Sequence, residues 1–113
     1  AKAMVERGAG GKIVVVLAKS ALKGSAKNAA YTASKAAAQR IMESMALELR
    51  DLNINVNAVL PSTIDSPQNR ADMPNADPAK WVTPDDVADA ILFLASDAAA
   101  KIHGASLEVY GRS

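Results

Sequence analysis

Tyr31 and Lys35 stand four residues apart, the separation that puts two side chains on one face of a helix. A free tyrosine hydroxyl titrates near ~10, too high for efficient proton exchange at neutral pH. An ammonium within a few ångströms favours the phenolate, and the positive end of a helix adds to that field. A tyrosine in such a setting is a general acid or base, suited to interconverting a carbonyl and an alcohol. Taken alone, the spacing equally fits an exposed tyrosine beside a solvated lysine. The choice between them rests on the elements that hold the pair.

Lys12 to Leu17 is a short, continuous, β-branched run, which suits a strand buried on both faces of a parallel sheet. Ala18 to Ala30 reads as a loop with Gly24, Ser25 and Asn28. A long helix is expected from about Tyr31 to Leu52, with Ala38, Ile41, Met45, Leu49 and Leu52 drawing one apolar stripe. Asn53 to Leu60 reads as a second strand that Pro61 ends. Ser62 to Val82, with Pro67, Pro74 and Pro78 and no sustained periodicity, reads as an ordered loop. Thr83-Pro84-Asp85-Asp86 starts a helix: a threonine N-cap, proline at the first position, acidic residues in the first turn. It runs to about Ser96, with Val87, Ile91, Leu94, Ala95 and Ala98 on one face. Gly104 precedes a last strand, Ser106 to Val109. The order β-α-β-α-β, with crossovers long enough for parallel pairing, gives an α/β fold: a partial Rossmann-like three-layer unit with a parallel three-stranded sheet.

Composition narrows the partners. The 113 residues make one partial domain, and half of them are apolar, enough for a packed core. Thirteen basic residues against twelve acidic ones leave a net charge of +1, so nucleic acid is not expected as a partner. The lack of cysteine excludes disulfide scaffolds, thiol catalysis and thiolate metal sites, and a cytoplasmic protein is the simpler reading. No apolar run approaches the roughly 20 residues of a membrane helix, and Ala1 to Gly10 lacks a signal-peptide layout. The sequence opens without methionine, on what reads as the last turns of a helix stopped by Gly8 to Gly11. A segment upstream is therefore expected.

Four segments together carry a family resemblance. Asn28-Ala-Ala-Tyr31-Thr-Ala-Ser-Lys35-Ala-Ala-Ala resembles the active-site helix of the short-chain dehydrogenase/reductase family. Asn53-Ile-Asn-Val-Asn-Ala-Val-Leu-Pro61 resembles the strand that follows it. Val82-Thr-Pro-Asp-Asp-Val-Ala-Asp-Ala-Ile-Leu-Phe-Leu-Ala-Ser-Asp97 and His103-Gly-Ala-Ser-Leu-Glu-Val109 are similar to its penultimate helix and last strand. The resemblance covers essentially the whole chain and corresponds to the carboxy-terminal half of the family's domain. It implies an NAD- or NADP-dependent oxidoreductase, with Tyr31 the proton donor and Lys35 the group that tunes it and holds the nicotinamide ribose. The loop after Pro61 would face the nicotinamide amide, with Ile64 supplying backbone groups and Ser66 standing where the family often has threonine. A plain turn residue before Pro67 is the equal alternative for Ser66.

Two departures qualify that picture. The family's carbonyl-polarising serine, thirteen residues before the tyrosine, is here Ala18; Ser20 and Ser25 are nearby at the wrong spacing. No Gly-rich phosphate turn (G-x-x-x-G-x-G) is present, so the chain holds half a cofactor site. Alanine at the serine position, the loop Asn57 to Arg70, the run Met73-Pro-Asn-Ala-Asp77 and Trp81 resemble the quinonoid dihydropteridine reductase subgroup, which implies a pterin-like substrate. A more general small-molecule carbonyl or imine stands beside it. The alternatives to an oxidoreductase are an inactive truncated or engineered α/β scaffold and one half of a split enzyme.

The remaining candidates have plainer readings. His103 beside Gly104 reads as a surface residue at a turn. Asp65, Asp72 and Asp77 read as loop charges, not metal ligands. Trp81 reads as a loop anchor and Met42, Met45 and Ile41 as core or interface residues. An apolar first strand without a neighbour on one side invites pairing with another chain, as does the Ala-rich helix, so self-association as a homo-oligomer is expected.

Overall fold

Alternation between β-branched runs and helices of period 3.6 builds the fold. A computed structural model describes residues 1–19, 26 and 28–113. Helix α1 (Lys2–Arg7) ends where Gly8 turns left-handed at φ 72°. Strand β1 (Gly11–Val16) follows, then the long crossover helix α2 (Ala29–Leu49), whose end tightens into a 3₁₀ turn over Arg50–Leu52. Strand β2 (Ile54–Pro61) is the middle of the sheet. Beyond it come a short helix α3 (Pro67–Asp72), helix α4 (Pro84–Ala95) and strand β3 (Ser106–Val109). The three strands are parallel in the order β1-β2-β3, with Val15 opposite Ala58 and Val59 opposite Leu107.

Every residue of β2 is buried, because α2 covers one face of the sheet and α4 the other. On the α2 side Leu17, Met42, Ala46, Ile54, Val56, Ala58 and Leu60 pack together. On the α4 side Val59, Val82, Val87 and Leu94 do so. Each fully buried Val, Leu or Ile contributes roughly 1.5–3 kcal/mol, so β2 is the strand on which the layers are assembled. Its two buried asparagines are fully occupied: the Asn55 amide donates to the carbonyls of Ala100 and Ile102, and Asn57 donates to Ile102 while accepting from the Ala105 amide. They hold the turn that leads into β3.

The α/β class, the three parallel strands and the α4 start match expectation. Thr83 accepts from the Asp86 amide while the Asp86 carboxylate accepts from the Thr83 amide, a complete capping box. Several details are corrected. β1 is half-buried, not buried on both faces, because among the described residues it pairs on one side alone. Pro61 is the last residue of β2, not a stop before it, since a final strand residue tolerates a missing amide donor. The stripe of α2 is centred on Gln39, Met42 and Ala46, while Ile41 is exposed. Ala95 and Ala98 are exposed, because α4 gives way to a 3₁₀ turn over Asp97–Ala99. The expected loop contains α3 and a 3₁₀ turn over Pro78–Lys80.

Candidate active site

In a parallel sheet all strands deliver their ends to one side, and a crossover helix begins there. Ala46 packs against Gly104, its Cβ 3.4 Å from where a Cβ on that glycine would stand. Further back along α2 the Gln39 amide donates to the Ser106 hydroxyl at 2.6 Å. The helix therefore runs antiparallel to β3. From Gln39 back to Tyr31 is about 12 Å of helix, and from Ser106 on to Tyr110 is about 13 Å of strand. Tyr31 and Tyr110 thus reach the same level, the rim where β1, β2 and β3 end.

Tyr31 is the third residue of α2, half-exposed at 52%, and its carbonyl accepts the Ser34 hydroxyl. One turn on, the Lys35 ammonium lies 5.6 Å from the centroid of the Tyr31 ring. The pair shares one face, as the spacing requires, with the positive charge over the ring of a half-exposed tyrosine. Tyr110 differs. It packs against the α2-side core, and burial, followed by the Glu108 charge, pushes its phenol pKa up, so it keeps its proton. The Lys19 ammonium sits 4.8 Å from the centroid of the Tyr110 ring, within cation–π range.

The loop leaving β2 is pinned at both ends. Ile64 bridges Val82, Val82 donates to the Thr63 carbonyl, and Asp65 donates to the Val82 carbonyl. The Ile64 carbonyl also accepts the Asn69 side-chain amide, so the backbone around Ile64 is fixed at the rim beside Pro61. Ser66 is the N-cap of α3, its hydroxyl accepting the Asn69 amide at 3.1 Å; its own O–H stays available as a donor. Arg70 grips both carboxylate oxygens of Asp65 at 2.7 and 2.9 Å and holds that carboxyl below the usual range. The Ser62 hydroxyl donates to the Tyr110 carbonyl and shares a 2.6 Å hydrogen bond with Ser113, tying the tail to the start of this loop.

The chain therefore brings Tyr31, Lys35, Pro61 and Ile64 to one rim and turns Ser66 into a helix cap beside it. Ala18 lies on the same rim without a hydroxyl; Ser20 and Ser25 lie outside the described residues. Sequence reasoning missed Lys19, Tyr110 and Ser62. Their signal was positional, since each lies just beyond the end of a strand. His103 is half-buried, not a surface residue, with Nε2 3.5 Å from the Asn55 amide. Among the described residues no cluster of His, Cys, Asp or Glu could hold a metal, and no helix is long and apolar enough to cross a membrane.

Comparison with known proteins identifies the family and the fold. Residues 1–111 match the family model described as enoyl-(acyl carrier protein) reductase. L-rhamnose 1-dehydrogenase (NAD(P)(+)) of Azotobacter vinelandii is 40% identical over 98% of this chain and 47% of its own length. The 2-dehydro-3-deoxy-D-gluconate 5-dehydrogenase of Escherichia coli is 33% identical, with 98% and 48% covered. The crystal structure of acetoin dehydrogenase from Enterobacter cloacae superimposes with a TM-score of 0.86 at 36% identity, over 97% of this chain and 46% of that one. The chain spans about half the length of the curated relatives it matches.

Proposed function

The chain belongs to the short-chain dehydrogenase/reductase family, and we propose that it supplies the proton-transfer and nicotinamide-facing part of an NAD(P)-dependent oxidoreductase. The observation that carries this is the Lys35 ammonium lying 5.6 Å from the ring of a half-exposed tyrosine, at the rim where three parallel strands end. Tyr31 donates its phenolic proton to the substrate oxygen in reduction and takes it back in oxidation. Lys35 places its positive charge over the ring of that proton donor, 5.6 Å from the centroid.

The donor set fits the nicotinamide end of a dinucleotide. Lys35 would hold the ribose hydroxyls, the fixed backbone at Pro61 to Ile64 the carboxamide, and the Ser66 O–H a further acceptor. When bound, the nicotinamide supplies or accepts the hydride. The phosphate end needs a Gly-rich turn, and this chain has none.

A sugar or sugar acid is the substrate class that the rhamnose and gluconate relatives support; a pterin-like substrate is the alternative that the loop from Asn57 to Arg70 suggests. The absence of a hydroxyl at Ala18 favours a carbonyl or imine that is already electrophilic. We further infer a cytoplasmic homo-oligomer. β1 leaves one edge unpaired among the described residues, and Ile41, Leu47, Leu92 and Phe93 leave apolar surface on α2 and α4. Sedimentation of a stable monomer would count against that assembly.

The test follows NAD(P)H absorbance in the full-length gene product with L-rhamnose, a keto-deoxy sugar acid and a quinonoid dihydropterin. Tyr31→Phe is expected to lower kcat by 10²-fold or more. Full activity in that variant refutes the assignment.

A further inference from the structure

We propose that Lys19 is the specificity-determining cation of this rim, and that the substrate carries a carboxylate which Lys19 binds. The inference deepens the oxidoreductase reading and rests on it for the identity of the reacting carbonyl.

Lys19 follows Ala18 at the end of β1, where the backbone of Leu17 is still hydrogen-bonded to the Val59 carbonyl. Its ammonium is therefore delivered to the rim and not to the flank of the sheet. There it lies 4.8 Å from the centroid of Tyr110, a partly buried ring packed against the core on the α2 side. A solvated lysine loses side-chain entropy by settling into one orientation. Here the ring face supplies an attraction that holds the charge in place. Tyr110 keeps its proton and presents a neutral ring, so it restrains the ammonium without neutralising it.

Charge balance gives the second argument. Among the described residues Lys2, Arg40 and Arg70 are paired with Glu6, Glu43 and Asp65, whereas Lys19, like Lys35 on the same rim, has no carboxylate partner. Among the described residues Glu108, which acts on Tyr110 through its charge, forms no ion pair with Lys19. A half-buried, oriented and unpaired ammonium is thus held at the level of Tyr31. An ammonium there attracts an anion, and on the sugar-acid class of the proposed function that anion is a carboxylate. Neutral sugars offer it hydroxyl groups alone, which form weaker bonds than a charged acceptor.

The experiment compares D-gluconate-type acids with L-rhamnose in the full-length gene product and in Lys19→Met and Lys19→Arg. A charge-assisted hydrogen bond predicts that Lys19→Met lowers the acid-over-neutral ratio of kcat/KM by about tenfold or more. The change should lie in KM for the acid, and Lys19→Arg should recover most of it. A ratio that stays within twofold of the parent in Lys19→Met overturns the proposal while leaving the oxidoreductase reading intact. A readout independent of turnover is NMR of ¹³C-methylated lysines, with the Lys19 resonance assigned by its loss in Lys19→Arg. Titration with D-gluconate should move that resonance and L-rhamnose should not. If no substrate turns over yet gluconate moves it, the oxidoreductase reading fails and the anion site stands. If gluconate leaves it unmoved, the site is refuted whatever the activity.

Discussion

The two buried asparagines of β2 share one acceptor, and that sharing has a measurable consequence. Asn55 and Asn57 both donate to the Ile102 carbonyl at 2.9 Å. Asn57 alone accepts from the Ala105 amide, at 2.8 Å, and Asn55 alone donates to the Ala100 carbonyl, at 2.9 Å. Both side chains are nearly inaccessible, at 1% and 2% exposure. Asn57→Ala strands the Ala105 amide, and an unsatisfied buried group costs about 1–3 kcal/mol. Asn55→Ala strands the carbonyl of Ala100, an exposed residue that water can serve, so about 1 kcal/mol is expected. In each single variant the Ile102 carbonyl keeps one donor. In the double variant it loses both, which adds about 1–2 kcal/mol beyond the sum of the singles. Urea titration followed by far-ultraviolet circular dichroism and Trp81 fluorescence would give the three differences, provided the slopes agree. A coupling below about 0.5 kcal/mol, the usual scatter of additivity, would refute the shared-acceptor account.

Thr83→Ala removes half of the α4 capping box and is expected to cost about 1 kcal/mol, read as a Tm lowered by about 4–8 °C; an unchanged Tm would mean the cap contributes nothing. Gly8 and Gly10 both have positive φ, but a Cβ on Gly8 meets open space whereas one on Gly10 would lie 2.6 Å from the Asn53 carbonyl oxygen. Gly8→Ala should therefore cost about 1 kcal/mol and Gly10→Ala clearly more, and equal losses would contradict the close approach. Asp65 has its folded pKa lowered by Arg70, so the folded state holds its proton less tightly than the unfolded one. The stability this pair adds is complete above about pH 4 and is lost as pH falls through the lower folded value. Comparing the Tm of the parent and Arg70→Gln at pH 6 and pH 3 should show the difference shrinking in acid; a constant difference would rule out the linkage.

Local rules made much of this legible from sequence. The Thr83 N-cap with Pro84 behind it, the presence of strand β1 and the bounds of β3 are each settled within a few residues of chain, and the structure keeps them. Tyr31 and Lys35 were legible because helical spacing alone brings them together. What depends on distant chain was not. Gln39 breaks the apolar stripe of α2 yet is buried, because Ser106 receives its amide across the sheet. Asn55 and Asn57 look out of place in a buried strand until the carbonyls beyond α4 come into view. The cation–π contact of Lys19 joins residues at opposite ends of the chain, and neither residue carries a local mark of it. Helix α3 was missed although Ser66 and Pro67 form a proper start, since six residues are too few to show a period.

The bridge between Ile64 and Val82 closes the excursion that holds α3 and the Pro78–Lys80 turn. Its two ends are joined to each other and, through Ser62, to the tail after β3. The segment from 65 to 81 is thus a detachable cassette on a fixed frame. Doubling the length of such a closed loop costs only about 0.6 kcal/mol in chain entropy. Insertions, deletions or wholesale exchange can accumulate there while the sheet, the Tyr31–Lys35 pair and the rim stay in register. A descendant or an engineered library could change what meets the rim by editing that cassette alone.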